Sequence, residues 1–338
     1  MFDVELPIIQ APMAGGPDTA ALAAAVTNAG GMGSLGCAYL APEQIEAAAA
    51  AVRAHTQGPF ALNLFVRADA PDDPVAEARV ASVLARFRGE LGLAAPGPST
   101  STPRFEEQLE AVLRCAPRVF SFTFGVPAPE QIAAVRAHGI AIVGTATTVE
   151  EARALADAGV DAICAQGAEA GGHRGTFLGA FEDGLVGTIA LVPQIVRATR
   201  LPVIAAGGIM TGQGIRAALS LGATAVQLGT AFLCCPEAGT SAPHRGALAT
   251  ATATTITRAF SGRPARGIRN RMTDAFAATE PAPFPQQQRL TAELRREATR
   301  QGRTDLMQLW AGQGAPHVRT LPASELVAVL AREAGLRA

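Results

Sequence analysis

LPVIAAGGIMTGQGIRAALSLGATAVQLGTAF, residues 201–232, contains two short apolar runs, Pro202–Ala205 and Ala225–Leu228, each with glycines close behind it. Neither run alternates apolar with polar residues, which is how a strand buried on both faces of a parallel sheet reads. Gly222, just before the second run, reads as the glycine that ends a helix. Six more runs of the same kind precede these two: Pro7–Ala11, Met32–Leu35, Phe60–Leu64, Arg118–Phe122, Ala141–Val143 and Ala162–Ala165. Helical patterns such as Asp73–Arg88, Arg104–Arg114, Pro129–His138 and Leu191–Arg200 separate them. Thr148 with Glu151 three residues on is a capping box opening a helix that runs to Ala158, and Gly159 ends it. Strand–helix alternation repeated eight times predicts an α/β fold closed into a (β/α)8 TIM barrel, with a doubly wound open sheet as the alternative.

The rhythm stops after Cys235. Thr250–Thr257 is a Thr/Ala-rich helix candidate, Ser261–Asn270 an arginine-bearing loop, Pro281–Pro285 proline-rich punctuation and Arg289–Arg300 a helical pattern. The expected organisation is a barrel formed by residues 1–235 and 310–338, with a mainly helical cap over 236–309. Leu321–Glu333 is a last helix returning to the barrel. Gly92–Pro103 reads as an aperiodic insertion and a mobile loop.

Composition removes whole classes of function. The 338 residues are 49% hydrophobic and 17% charged, which excludes a disordered chain. No apolar run reaches the roughly 18 residues of a membrane span, and the start lacks the basic and apolar regions of a secretory signal. A formal net charge of −1 lacks the field that holds nucleic acid, and aromatics at 5% leave few stacking platforms. All 28 basic residues other than histidine are arginine; without lysine there is neither Schiff-base chemistry nor a P-loop lysine. Five cysteines without CxxC spacing write neither a disulfide framework nor a zinc knuckle, so no metal is expected and a reducing cytoplasm is.

Barrel chemistry sits just past the strands, so the residues after each run carry the functional reading. Gly207 and Gly208 follow the seventh run, and Gln227-Leu228-Gly229-Thr230 closes the eighth. Glycines there let backbone N–H groups approach an anion, with a helix N-terminus behind each loop; the plainer reading is two tight turns. After the sixth run comes Gln166-Gly167-Ala168-Glu169-Ala170-Gly171-Gly172-His173-Arg174-Gly175, small residues around one imidazole. His173 there can take a proton from carbon or hydrogen-bond an anionic substrate, or it is a solvent-facing turn histidine. Glu169 and Arg174 pair with each other or with solvent. Gln10-Ala11-Pro12-Met13, after the first run, suits the edge of a planar ring. Asn63, a carboxamide in an apolar run, needs a partner, either a ligand or a neighbouring strand. Cys164 reads as core. Together these residues describe a site for a flat, phosphorylated, heteroatom-rich cofactor. FMN suits it better than NAD(P), because no GxGxxG opens a βαβ unit.

QAPMAGG (10–16), ALNLF (61–65), SFTFG (121–125), AQGAEAGGHRG (165–175), PVIAAGGI (202–209), AVQLGTAF (225–232), SGRPARGI (261–268) and LWAGQG (309–314) resemble the FMN-dependent nitronate monooxygenases, formerly 2-nitropropane dioxygenases, in order along nearly the whole chain. The resemblance implies non-covalent FMN and oxidation of alkyl nitronates by O₂ to an aldehyde or ketone plus nitrite. It implies flavin contacts at Gln10, Ala11, Pro12, Met13, Asn63, Gln166, Gly171, Gly172, Gly207, Gly208, Gln227, Leu228, Gly229 and Thr230, with His173 as the catalytic histidine. Family members carry tyrosines and a lysine in the segment that closes over the substrate; here it reads Phe284-Pro285-Gln286-Gln287-Gln288-Arg289, and the only tyrosine is Tyr39. The alternatives are an NADH:quinone reductase or a flavin-dependent enoyl-thioester reductase on the same scaffold, or a flavin-binding protein without turnover. The sequence leaves the oligomeric state, monomer or dimer, open.

Overall fold

A computed structural model describes residues 2–66, 71–94 and 103–337. Its strands are β1 (Ile8–Gln10), β2 (Gly33–Gly36), β3 (Phe60–Phe65), β4 (Val119–Thr123), β5 (Ala141–Ala146), β6 (Ala162–Gln166), β7 (Gly172–His173), β8 (Val203–Ala206), β9 (Ala225–Leu228), β10 (Thr254–Thr257) and β11 (Ala265–Ile268). Eight of them form one parallel sheet in the order β1-β9-β8-β6-β5-β4-β3-β2, and a parallel bridge between Ile9 and Met32 brings its two edges together. The result is the (β/α)8 barrel, and each of the eight apolar runs supplies one of its strands. Alternation along the pleat divides their side chains. Ile9, Met32, Ala61, Val119, Val143, Cys164, Ile204 and Ala225 form one cluster, joined by Phe2. Their neighbours Ile8, Leu62, Phe120, Ile142, Ile163, Val203 and Val226 pack with the helices in another.

The helices begin where the side chains cap them. Thr19 accepts from the Leu22 amide and Asp73 from those of Val75 and Ala76; Thr148 and Glu151 close their capping box. Gly159 (φ +85°) and Gly222 (φ +98°) take the left-handed conformation that ends the preceding helices.

A second core lies beside the barrel. Ala76, Val80, Leu84 and Phe87, all on the helix Pro74–Glu90, pack with Phe260, Met272, Phe276, Leu294, Leu306 and Leu309. A helix between two barrel strands therefore contributes its apolar face to the region that follows the barrel. Glu90 at its end pairs with Arg271 and Arg303 at 2.9 and 3.0 Å, and Arg271 with Asp305 at 2.8 Å. Residues 236–309 are not wholly helical. Thr254–Thr257, expected to lie in a helix, is β10, because a Thr-Thr-Ile-Thr run of β-branched side chains suits a pleated surface. Part of the expected loop Ser261–Asn270 is β11. These two strands and β7 make an antiparallel sheet in the order β10-β11-β7. Residues 95–102 of the expected mobile insertion lie outside the described residues. No described helix is long and apolar enough to cross a membrane.

Candidate active site

The strand ends open into a cavity of about 350 Å³. Ala11, Pro12, Met13, Asn63, Gln166, Gly171, Gly172, His173, Gly207, Gly208, Gln227, Leu228, Gly229 and Thr230 all line it. Residues that five of the eight barrel strands carry or leave in the turns behind them are thus brought to one place.

At one end the wall is backbone. Gly207 (φ +115°) and Gly208 (φ +72°) turn the chain after β8, where any side chain would be strained. Among the described residues no hydrogen bond takes up the amide N–H of Gly207, Gly208 or Gly229. A Cβ on Gly172 would meet nothing within 4 Å, so that position borders open space. The helix Gly212–Ser220 follows β8 as expected; after β9 there is only the 3-10 turn Thr230–Phe232. A third glycine segment, which the sequence reading missed as a wall, presses on this end. The Gly312 amide donates to Thr230 Oγ1 at 2.9 Å, and a Cβ on Gly171 would lie 2.5 Å from the Gly312 nitrogen.

At the other end the wall is a caged imidazole. His173 is half of the two-residue strand β7, registered opposite Ala265 of β11. Its Nε2 is 2.8 Å from Ser261 Oγ, and that oxygen is 3.3 Å from both the amide nitrogen and the carbonyl oxygen of Arg263. Phe65, Phe124, Phe284 and Trp310 surround the ring, with centroids 5.7–6.4 Å away. Arg263 stacks on Phe124 with its guanidinium carbon 3.9 Å from the ring centroid. Phe124 adopts φ +82°, uncommon for a bulky side chain, and is held between Phe65 and Arg263. Burial, with the positive charges of Arg263 and Arg295 nearby, pushes the His173 pKa down to about 3. The imidazole is therefore neutral at physiological pH, with one N–H and one lone pair.

Several side chains do other work than their residue types suggest. Gln10 is fully buried away from the cavity; its Oε1 accepts from the Ser34 amide at 2.9 Å and its Nε2 donates to the Ala11 carbonyl. The polar atom that invites a ligand instead satisfies the adjoining strand. Asn63 finds Ser121 Oγ on β4 at 2.9 Å. Gln166 lines the cavity while holding the histidine loop, donating to the His173 carbonyl and accepting from the Gly175 amide. Glu169 and Arg174 do not pair. Glu169 receives the Thr188 amide and hydroxyl, and the buried Arg174 donates to the carbonyls of Gln166, Gly167 and Gly184. Desolvation pushes Arg174 down to about 10. Asp18 accepts from the Met13 and Gly36 amides, fixing the turn after β1, and burial pushes its pKa up to about 6. Cys164, expected in the core, is buried and also lines the cavity floor, where Gln227 Nε2 lies 3.4 Å from its sulfur. Ser261 and Trp310 were missed because they come from outside the barrel rhythm, whereas Phe65 ends β3 and Phe124 follows β4; only the SGRPARGI stretch could have pointed to the serine. Among the described residues no group of three or more His, Cys, Asp and Glu is arranged to hold a metal.

A (β/α)8 barrel with a backbone-lined turn pair at one end of its mouth and a neutral histidine at the other defines a class of small-molecule enzyme scaffolds. The nitronate monooxygenase family model matches residues 1–333, and this chain belongs to that family. It is 44% identical to a nitronate monooxygenase of Pseudomonas aeruginosa, over 98% of this chain and 97% of that one. It is 40% identical to a probable nitronate monooxygenase of Staphylococcus aureus, over 97% and 94%. Among solved structures it is similar to a nitroalkane oxidase from Streptomyces ansochromogenes, with TM-score 0.93, 42% identity and coverage of 98% and 96%. FabK from Thermotoga maritima is a more distant likeness, with TM-score 0.78, 27% identity and coverage of 99% and 94%.

Proposed function

We propose that the cavity holds FMN and that the protein oxidises alkyl nitronates with O₂ to a carbonyl compound and nitrite. The observation that carries this reading is the pairing of unpartnered backbone N–H groups at one end of the cavity with a neutral, caged imidazole at the other. The group fits the residues present. The amides of Gly207, Gly208 and Gly229 would hold the phosphate, and the Ala11–Met13 turn with Gly171 and Gly172 would border the ring. FMN, when bound, supplies the electron acceptor and the reaction with O₂.

The chain's own residues bind, orient and move a proton. Aromatic rings face His173 on several sides, so a hydrogen bond from the imidazole to an anionic nitronate is made in a largely apolar surround, where it is stronger than in water. Arg263 and Arg295 add positive potential on that side, which favours the anion over the neutral nitroalkane. With a neutral nitroalkane the imidazole lone pair takes the proton from carbon, and the nitronate anion formed beside it stabilises the imidazolium that burial alone disfavours. Ser261 holds one ring nitrogen and thereby fixes the orientation of the other. Phe284, in the segment expected to close over the substrate, gives the substrate a ring to pack against and no hydroxyl to bind.

The test is a yellow purified protein that consumes O₂ with ethyl nitronate and releases nitrite. Anaerobic mixing separates this reading from the reductase alternative: nitronate should bleach the flavin and NADH should not. Rapid bleaching by NADH alone would reassign the enzyme as a reductase.

A further inference from the structure

Two polar atoms in the wall of this cavity lack a partner. His244, near the start of the helix Ala242–Ala249, and Thr240, two residues before it, are each 7% exposed, and both residues line the cavity. Among the described residues neither His244 Nε2 nor Thr240 Oγ1 makes a hydrogen bond. The Trp310 backbone faces the ring of His244, and burial pushes the ring's pKa down to about 4. The ring is therefore neutral at neutral pH, and its Nε2 is left without a hydrogen-bond partner. Thr240 is pinned from behind, since Arg245 donates to its carbonyl at 3.0 Å. The Gly239 amide donates to Pro17, and a Cβ on Gly239 would lie 2.1 Å from the Gly16 carbonyl, so the backbone that carries Thr240 is tightly packed.

Buried polar atoms are seldom left without partners, and two of them on one cavity call for a group that satisfies both. Their chemistry restricts it. Neither side chain carries a charge to hold a phosphate, a carboxylate or a cation. An aliphatic hydroxyl fits, because it can donate to the imidazole and share a hydrogen bond with the threonine.

We propose that Thr240 and His244 form a subsite for an aliphatic hydroxyl group in this cavity. The proposal rests on the reading of the cavity as a flavin and nitronate chamber. The hydroxyl has two sources, the polyol chain of the flavin or a hydroxylated nitronate.

The test compares Thr240→Val, which keeps the shape and loses the hydroxyl, and His244→Phe with wild type, using Thr240→Ser as the conservative control. Apo-proteins are titrated by flavin fluorescence with FMN, with riboflavin, which lacks the phosphate, and with lumiflavin, which lacks the polyol chain too. If the hydroxyl is the flavin's, both variants weaken FMN and riboflavin about tenfold, the weight of one hydrogen bond, while lumiflavin is unaffected and Thr240→Ser binds as wild type. If it is the substrate's, flavin affinities hold. The KM for the nitronate of 2-nitroethanol then rises about tenfold, and that for the nitronate of nitroethane does not. Unchanged values for every probe overturn the proposal and leave the pair to bound water. A wild-type chain that binds none of the three flavins overturns the reading of the cavity, and the subsite with it. Thermal melts of the apo-proteins guard against misfolding; should His244→Phe not fold, Thr240→Val decides alone.

Discussion

The two ends of the cavity are built on opposite principles. The glycine end uses main-chain N–H groups on turns that the barrel strands set rigidly. The histidine end uses one side chain whose place, protonation and surroundings depend on residues up to 137 positions away in sequence, from Ser261 to Trp310. A backbone site tolerates no added bulk and has no charge to tune. A side-chain site tolerates substitution, and its chemistry changes with its neighbours. Binding and reactivity should therefore be separable by mutation.

The largest effect is expected from bulk at the glycine end. Gly229 has φ −105°, which any residue can adopt, and a Cβ there meets only Ala11 Cβ at 3.5 Å and Met13 Sδ at 3.9 Å. Gly229→Val should fold normally and lose FMN affinity by at least about 100-fold, checked by flavin content after purification and by titration of the apo-protein. Normal flavin content would break the contrast between the two ends. At the other end, His173→Asn should keep its flavin and lower kcat/KM by roughly 10²–10⁴ with a neutral nitroalkane, the span attributed to a general base. The loss should be smaller with a preformed nitronate, which has no proton to give up, and equal losses would remove the proton-transfer role. Ser261→Ala should cost about tenfold in kcat/KM at unchanged flavin affinity, and Ser261→Thr should recover part of it. An unchanged rate would show that the cage alone orients the ring.

The smallest effect is on stability. His173 and His244 have folded pKa values below the usual histidine value, so their neutral-state contribution is complete above about pH 6.5 and is lost as the pH falls. Asp18, raised to about 6, works the other way: it favours the fold at low pH and loses that contribution as the pH rises from about 4 to 6. Between pH 6 and 4.5 the unfolded chain binds two protons that the histidines refuse, and the folded chain retains one on Asp18. The net is about one proton, or up to about 1.4 kcal/mol per pH unit. The melting temperature of the apo-protein should drop by a few degrees over that range, and His244→Phe should flatten the slope. A melting temperature independent of pH would show that these rings are hydrated.

The barrel could be read from sequence because burial on both faces of a strand writes an apolar run, and a tight turn toward an anion writes glycine. Those are local signals, and His173 stands out among small residues for the same reason. Gln10 misled because a carboxamide at a strand end looks alike whether it reads a ligand or caps the Ser34 amide. The second core was illegible for a different cause. Its helix Pro74–Glu90 has an amphipathic pattern that does not say which core it faces, and the pairing of β7 with β11 joins segments with no shared periodicity. Ser261, Arg263 and Trp310 come with that pairing, so the partners of the histidine stayed hidden although the histidine did not.

The mounting of His173 on a strand only two residues long makes its position all-or-none. Neighbouring residues of a strand point to opposite faces, so displacing β7 by a single step against β11 would turn the ring out of the chamber rather than shift it slightly. Selection on the exterior packing of that ribbon therefore acts on chemistry in discrete jumps, and two descendants of one ancestor could share an identical cofactor bed yet differ in whether they react at all.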